Sequence, residues 1–286
     1  MTNCIEIKGL CKSYPDFALD HIDLTVPGGS ILGLIGENGA GKSTTIKCIL
    51  NLVRWDAGSI RILGQDNIER DVSLKQDIGV VLDECFFHDN LRASDVDTIL
   101  RRVYKRWDRD LFSNYCRQFG LPEKKTIKEY SRGMKMKLSL AAALAHRPRL
   151  LILDEATSGL DPVVRDEILD EFLSFIQDED HGILLSSHIT SDLEKAADYI
   201  TYIHRGRVTL SGAKDELLEQ YGRLVCRASD LEKLDKSLVV GVRKSQFGCE
   251  ALVNDRAGLR KAYPELTVDP VSLEDIMVFT VKGEIK

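Results

Sequence analysis

The stretch Gly36-Glu37-Asn38-Gly39-Ala40-Gly41-Lys42-Ser43 decides how this chain is read. It fits G-x-x-x-x-G-K-[ST], a phosphate-binding loop. Before it runs Ile31-Leu32-Gly33-Leu34-Ile35, short and apolar as a buried strand would be; after it Ile46, Ile49, Leu50 and Val53 recur at helical spacing. Strand, glycine loop and helix are therefore expected in that order, with the helix starting near Lys42. Phosphate carries dense negative charge, and glycines let successive backbone N–H groups converge on it without obstruction. The positive end of the following helix adds to that field. The pattern assigns Lys42 to the β- and γ-phosphates and the Ser43 hydroxyl to Mg²⁺, with Thr44 on the same first turn. An ordinary glycine-rich turn would lack the flanking strand and helix. The pattern implies a bound nucleoside triphosphate.

Outward from the loop, residues 4–8 and Ile22-Asp23-Leu24-Thr25-Val26 alternate apolar and polar, which predicts half-exposed antiparallel strands ahead of it. Tyr14 sits alone before a turn, and spacing by itself suggests surface packing. Downstream, Ser59–Leu63 and Ile78–Leu82 read as strands, the second ending in Asp83-Glu84. Residues 94–146 read as mostly helical, with breaks at Gly120-Leu121-Pro122 and near Tyr130, and Pro148 closes the last helix. Leu150-Leu151-Ile152-Leu153 and Ile183-Leu184-Leu185 are continuous apolar runs, the mark of parallel strands covered on both faces. Between them Asp161-Pro162 opens a helix whose Ile168, Leu169, Phe172, Phe175 and Ile176 face inward. Strands at 199–203 and 207–210 and a helix near 213–221 complete the main body. Alternating strands and helices predict an α/β fold around a largely parallel sheet. Tyr221-Gly222 reads as a boundary, so that 1–222 forms the main domain and 223–286 a small α/β appendage.

Three buried strands end in polar residues: at Gly36, at Asp154-Glu155 and at Ser186-Ser187-His188. Ligand sites in open α/β sheets lie at such carboxyl ends. Asp154, closing an apolar strand, suits a Mg²⁺ ligand, and Glu155 beside it could orient or deprotonate a water attacking the γ-phosphate. His188 alone would be a plain loop histidine; at the end of a strand in a nucleotide site it becomes a candidate γ-phosphate contact.

The bulk numbers narrow the rest. A length of 286 residues allows one large domain with a small addition, and 43% hydrophobic residues supply a core. A net charge of −6 gives no reason to expect a nucleic-acid surface. Seven scattered cysteines without a C-x-x-C pair read as reduced thiols rather than a disulfide scaffold or zinc site. The first residues show no secretory pattern, and no apolar run approaches the roughly 18 residues of a membrane span. Any work at a membrane would need a partner that supplies the spans.

Taken together, Gly36–Ser43, Tyr130-Ser131-Arg132-Gly133-Met134, Leu150–Glu155, Ser158-Gly159-Leu160-Asp161 and His188 resemble the nucleotide-binding subunit of an ABC transporter, over about residues 3–220 and in that family's order and spacing. The resemblance implies a P-loop NTPase fold with an N-terminal antiparallel β subdomain and a helical subdomain inserted at about 90–147. It implies ATP and Mg²⁺ as cofactors and hydrolysis with Glu155, His188 and Lys42 as catalytic residues. Tyr14 would stack on adenine, and Gly36, Glu37, Asn38, Gly39, Ala40, Gly41, Lys42, Ser43 and Thr44 would hold the phosphates. Ser131 and Gly133 would form the signature that binds the γ-phosphate of ATP held by a second ATP-binding subunit, identical or not. Asp161 would belong to the loop connecting the two sites. The partner would be an integral-membrane permease, and the subunit would lie in the cytoplasm, peripheral on the inner face of the cell membrane. The appendage and the Arg-Gly-Met form of the signature are similar to single-cassette subunits of bacterial exporters.

Two departures stand out. Arg132 takes a position where the family has glycine, and Asp83 aligns with a glutamine that touches Mg²⁺ and the membrane subunit; the alignment puts Asp83 among the metal residues. Phe86 and Phe87 follow in a polar loop, a candidate groove for a permease helix. The alternative is a soluble, non-transport ABC ATPase. Ribosome-acting members resemble two cassettes in one chain, whereas this chain has one phosphate loop; chromosome-acting members carry a long coiled coil between the positions of Lys42 and Asp154, and no heptads occur there. A small-molecule kinase would leave Ser131–Gly133 and Ser158–Asp161 without purpose.

Overall fold

The computed structural model describes residues 2–66, 71–231, 233–245 and 248–282. Strands β1 (Asn3–Tyr14), β2 (Phe17–Pro27) and β4 (Ala57–Ile62) form an antiparallel sheet in the order β2-β1-β4. Between them in sequence lie β3 (Ser30–Ile35), the phosphate loop and α1 (Lys42–Ile49). After β4 come α2 (Val72–Lys75) and β5 (Ile78–Val81), then the helical insertion α3 (Ala93–Val103), α4 (Arg109–Gln118) and α5 (Arg132–Ala145). The chain returns to the sheet as β6 (Leu150–Asp154), α6 (Pro162–Phe175), β7 (Gly182–Ser187), α7 (Thr190–Ala196), β8 (Tyr199–His204), β9 (Arg207–Ala213) and α8 (Lys214–Gln220).

The main sheet runs β5-β6-β7-β3-β8-β9, parallel except for β9 at the edge. Its strands read as unbroken apolar runs because both faces are covered. Leu32, Leu34, Leu150, Ile152 and Leu184 pack toward α1 and the antiparallel sheet. Their neighbours Ile31, Leu151, Leu153, Ile183 and Leu185 pack toward α5, α6 and α7. In register, Ile35 lies opposite Ser187 and Tyr202, and Asp154 opposite Ser186, so the carboxyl ends of β3, β6, β7 and β8 form one rim. The phosphate loop leaves the sheet at the middle of that rim.

The sequence expectations hold for each named strand and for the helical insertion. Two short helices, α2 and α7, were not foreseen. In α6, Ile168, Leu169 and Phe172 are buried as expected, whereas Phe175 and Ile176 at its end are half-buried.

Beyond Tyr221 the chain builds β10 (Gly222–Cys226), α9 (Ala228–Leu231), β11 (Val239–Ser245), β12 (Gly248–Val253), α10 (Arg256–Ala262), β13 (Val268–Asp269) and α11 (Leu273–Lys282). The four strands form an antiparallel sheet, β11-β12-β10-β13, over its own cluster of Leu224, Val242, Ala251, Val253, Leu259 and Val268. That separate cluster supports the division we propose at 222/223. Helix α11 crosses it: Leu273, Ile276 and Phe279 join the main core, and the Leu273 N–H donates to Glu194 Oε1 at 2.6 Å. The appendage is thereby anchored on α7, the helix that follows His188.

Candidate nucleotide-binding site

Glycine at 36, 39 and 41 has a reason that differs at each position. A Cβ on Gly36 would lie 2.4 Å from the Ile203 carbonyl oxygen, which is backbone and cannot yield. Gly41 has φ +118° and would press on Leu19 and Phe17, at 2.6 and 3.0 Å. Gly39, at φ +81°, faces open space, so its constraint is conformational alone. The loop is pinned by Ala40 N–H to the Glu37 carbonyl at 3.1 Å and by Gly206 N–H to the Ala40 carbonyl at 2.9 Å. His204 Nδ1 lies 3.0 Å from Glu37 Oε1, within ion-pairing distance though not aligned for a hydrogen bond.

Helix α1 begins at Gly41 with no side-chain cap, and the N–H groups of Lys42, Ser43 and Thr44 find no acceptor among the described residues. A helix start with free donors, a local positive potential and an open glycine beside it is a receptacle for phosphate. The Lys42 ammonium is buried and held by the Gly36 carbonyl at 2.7 Å and the Glu37 carbonyl at 3.3 Å, and it lies 3.1 Å from Glu155 Oε1. These residues fit the triphosphate of a nucleotide.

At the end of β6, Asp154 is buried, and its Oδ1 accepts from Ser186 Oγ at 2.5 Å, while neither Oδ2 nor Ser43 Oγ has a hydrogen bond among the described residues. A free carboxylate oxygen and a free hydroxyl are hard donors that suit Mg²⁺. The backbone turns sharply at Glu155, whose φ is +53°, uncommon for a residue with a side chain. Its N–H is fixed by the Ser186 carbonyl at 3.1 Å and Ser186 Oγ at 3.2 Å. The turn aims the carboxylate back over the rim, where Oε1 meets Lys42 and Oε2 meets His188 Nδ1 at 2.6 Å. Lys42, Glu155 and His188 thus form one continuous array drawn from three strand ends.

The other expected residues lie elsewhere. Tyr14 is 42% exposed at the end of β1, with the Lys12 ammonium 5.5 Å from its ring centroid. Ser131 caps α5, its Oγ accepting from Met134 N–H at 3.2 Å. A Cβ on Gly133 would lie 3.4 Å from Val164, and one on Gly159 would lie 2.8 Å from the Arg132 guanidinium, so the signature segment meets the 158–164 segment of its own chain. Asp161 caps α6 through Val164 N–H at 3.1 Å. Asp83 is exposed and lines a polar pocket with Glu84, Tyr130, Arg132 and Lys135; it makes no bond to Ser43 or Asp154. Sequence reasoning missed Ser186, which joins both acidic residues, and Phe17, the aromatic beside Gly41. The polar end of β7 was a signal for the first; no periodicity pointed to the second.

Comparison with known proteins bears on the family of the chain. Residues 19–158 match the family model described as ABC transporter. The chain is 34% identical to the bacitracin transport ATP-binding protein BcrA of Bacillus licheniformis over 269 residues, 93% of this chain and 87% of that protein. It is 36% identical to the lantibiotic transport ATP-binding protein SrtF of Streptococcus pyogenes, over 74% of this chain and 91% of that one. A solved ATP-binding subunit of an ABC transporter superposes with a TM-score of 0.68 at 28% identity, covering 76% of this chain and 92% of the other.

Proposed function

Because the chain belongs to the ABC transporter family, as an ATP-binding and ATP-hydrolysing subunit that works with a membrane permease, we propose that it drives an exporter from the cytoplasmic face of the membrane, paired with a second cassette. The observation that carries the ATPase reading is the Lys42–Glu155–His188 array at the free donors of α1. Gly36–Thr44 hold the phosphates, and Tyr14 stacks on adenine. Ser43 and Asp154 would hold Mg²⁺, which when bound would draw charge from the phosphate oxygens. A γ-phosphate competing for the Lys42 ammonium frees Glu155 Oε1, and Glu155 then accepts the proton of the attacking water. His188 keeps Oε2 in place and reaches toward the γ-phosphate.

Each complete site needs two chains. Ser131 leaves the N–H groups of Arg132 and Gly133 at the start of α5 without an acceptor among the described residues, so this helix end too suits an anion. Gly133 lies against Val164 and Gly159 against Arg132, and among the described residues no hydrogen bond joins Ser131–Gly133 to the chain's own phosphate loop. This supports a γ-phosphate held by the partner cassette, with Asp161 in the loop between the two sites. Asp83 lines one pocket with Arg132 and Lys135, between the β5 end and the signature, and would add a carboxylate to the groups that serve Mg²⁺. Names of relatives that transport bacitracin and lantibiotics favour export. A cavity of about 230 Å³ lined by Val80, Leu82, Phe87, Leu100, Tyr104 and Ala142, with Phe86 73% exposed at its rim, suits a permease helix. No described helix is long and apolar enough to cross a membrane, so the spans fall to the permease.

The pairing is tested by sedimentation of Glu155→Gln. Monomer without nucleotide and dimer with ATP and Mg²⁺ is the expected result; a monomer at high protein and saturating ATP-Mg contradicts homodimer closure.

A further inference from the structure

Strands β1 and β2 lose register where Leu10 faces Ile22 but Lys12 faces Leu19. One residue, Cys11, is therefore opposed by two, Asp20 and His21, which is a β-bulge. In a regular strand Asp20 and His21 would point to opposite faces. Here His21 turns into the left-handed region, φ +51°, and both side chains come round to the sulfur. The thiol sulfur, an imidazole nitrogen and a carboxylate oxygen all lie within 4.8 Å of one another, the one such group of three found among the described residues.

From this convergence we propose that Cys11, Asp20 and His21 form a binding site for a borderline divalent cation of the Zn²⁺ kind, separate from the nucleotide's Mg²⁺. One sulfur, one nitrogen and one oxygen suit Zn²⁺ rather than Mg²⁺, and three protein ligands with a water in the fourth position make a tetrahedral set. The sulfur accepts a hydrogen bond from the His21 N–H at 3.4 Å and its S–H donates to the Gly9 carbonyl at 3.5 Å, a proton that a metal would displace. Asp20 is divided between two partners: Oδ2 lies 2.6 Å from the Arg207 guanidinium, and Oδ1 lies 2.6 Å from His21 Nδ1. The hydrogen bond between Oδ1 and Nδ1 occupies the place the ion would take. Metal–ligand bonds of about 2.0–2.2 Å set a tetrahedral N–O edge near 3.3 Å, so this pair must open by roughly 0.7 Å. His21 is 79% exposed in its side chain, which leaves its ring room to move into solvent. Arg207 can stay on Oδ2.

The bulge is wired to the phosphate loop. Asp20 N–H donates to the Gly206 carbonyl at 2.8 Å, and Gly206 N–H donates to the Ala40 carbonyl at 2.9 Å. An ion joining β1 to β2 here would stiffen the wall against which Gly41 rests. Sequence reading finds no metal motif at this spacing, because the bulge and not a local pattern brings the three together.

Co²⁺ serves as the probe, added to the full reduced chain without nucleotide. The expected result is a sulfur-to-cobalt charge-transfer band that saturates at one ion per chain and is displaced by Zn²⁺. Cys11→Ser abolishes the band. His21→Asn, chosen because asparagine tolerates the left-handed backbone, weakens binding by about 100-fold or more, at least the scale seen for lost outer-shell partners. Cys226→Ser, remote from the bulge, leaves it unchanged. Absence of a band at millimolar Co²⁺ overturns the proposal. So does a band that survives Cys11→Ser, which would belong to other thiols, or one insensitive to His21→Asn, which would be a lone cysteine. Unchanged circular dichroism of each variant shows that the loss is of ligand and not of fold.

Discussion

Removing the Ser186 hydroxyl tests how the two acidic residues are held. Its Oγ donates to Asp154 Oδ1 at 2.5 Å and accepts the Glu155 N–H at 3.2 Å, all within a buried strand end. Ser186→Ala keeps the volume almost unchanged and leaves a buried carboxylate oxygen without its donor. A hydrogen bond to a charged group contributes about 1.5–3 kcal/mol. Glu155 keeps the Ser186 carbonyl as acceptor, so its left-handed turn survives with one bond instead of two. The net loss is about 2 kcal/mol, which for a chain of 286 residues lowers the thermal midpoint by roughly 3 °C. The larger effect falls on the metal. Partners that orient a ligand typically change metal affinity by about 10–100-fold, so half-saturating Mg²⁺ for ATP turnover should rise by that factor. The assay is turnover against free Mg²⁺ at fixed saturating ATP, run beside a thermal melt. A lowered melting point with an unchanged Mg²⁺ midpoint would refute the orienting role and leave Ser186 a packing residue.

Two further outcomes follow from other parts of the molecule. Burial holds the His146 imidazole below its ordinary range, opposed by its hydrogen bonds to the Ile78 and Ala142 carbonyls. The unfolded chain therefore binds the proton first as pH falls through about 6.5, and stability drops from there toward the folded value by up to about 1.4 kcal/mol per pH unit. His146→Gln should flatten the fall of the thermal midpoint between pH 6.5 and 5; equal slopes in both proteins would contradict this. Phe86→Ala should weaken co-purification with the permease by about tenfold or more, the scale of an interface anchor, with hydrolysis by the isolated chain unchanged; normal capture would remove Phe86 from the docking surface.

Much of this architecture was legible because its determinants are local. Ile31–Ile35, Leu150–Leu153 and Ile183–Leu185 had to be apolar along their whole length, since both sheet faces are covered, and that is visible in any short window. Their polar ends marked the rim, so Lys42, Asp154, Glu155 and His188 could be named beforehand. What escaped notice depends on tertiary placement. Ser186 looked like one more polar strand end until Asp154 lay in register with it on the adjacent strand. Phe17 matters because a hairpin carries it to Gly41. Helix α7 has only seven residues, too few for a period to declare itself, yet it anchors α11. Asp83 shares a pocket with Arg132 and Lys135, neighbours that only the fold of the helical insertion brings to it.

The central claim is that Glu155 receives the proton of the attacking water while Lys42 holds the phosphates. It is tested most directly by measuring ATP binding and turnover in Glu155→Gln beside Lys42→Ala. Glutamine keeps the size and can still meet His188, but it cannot act as the base. The account predicts ATP affinity near that of the unaltered chain and turnover lower by on the order of 10²-fold or more, whereas Lys42→Ala loses ATP binding itself. Turnover in Glu155→Gln close to that of the unaltered chain would contradict it.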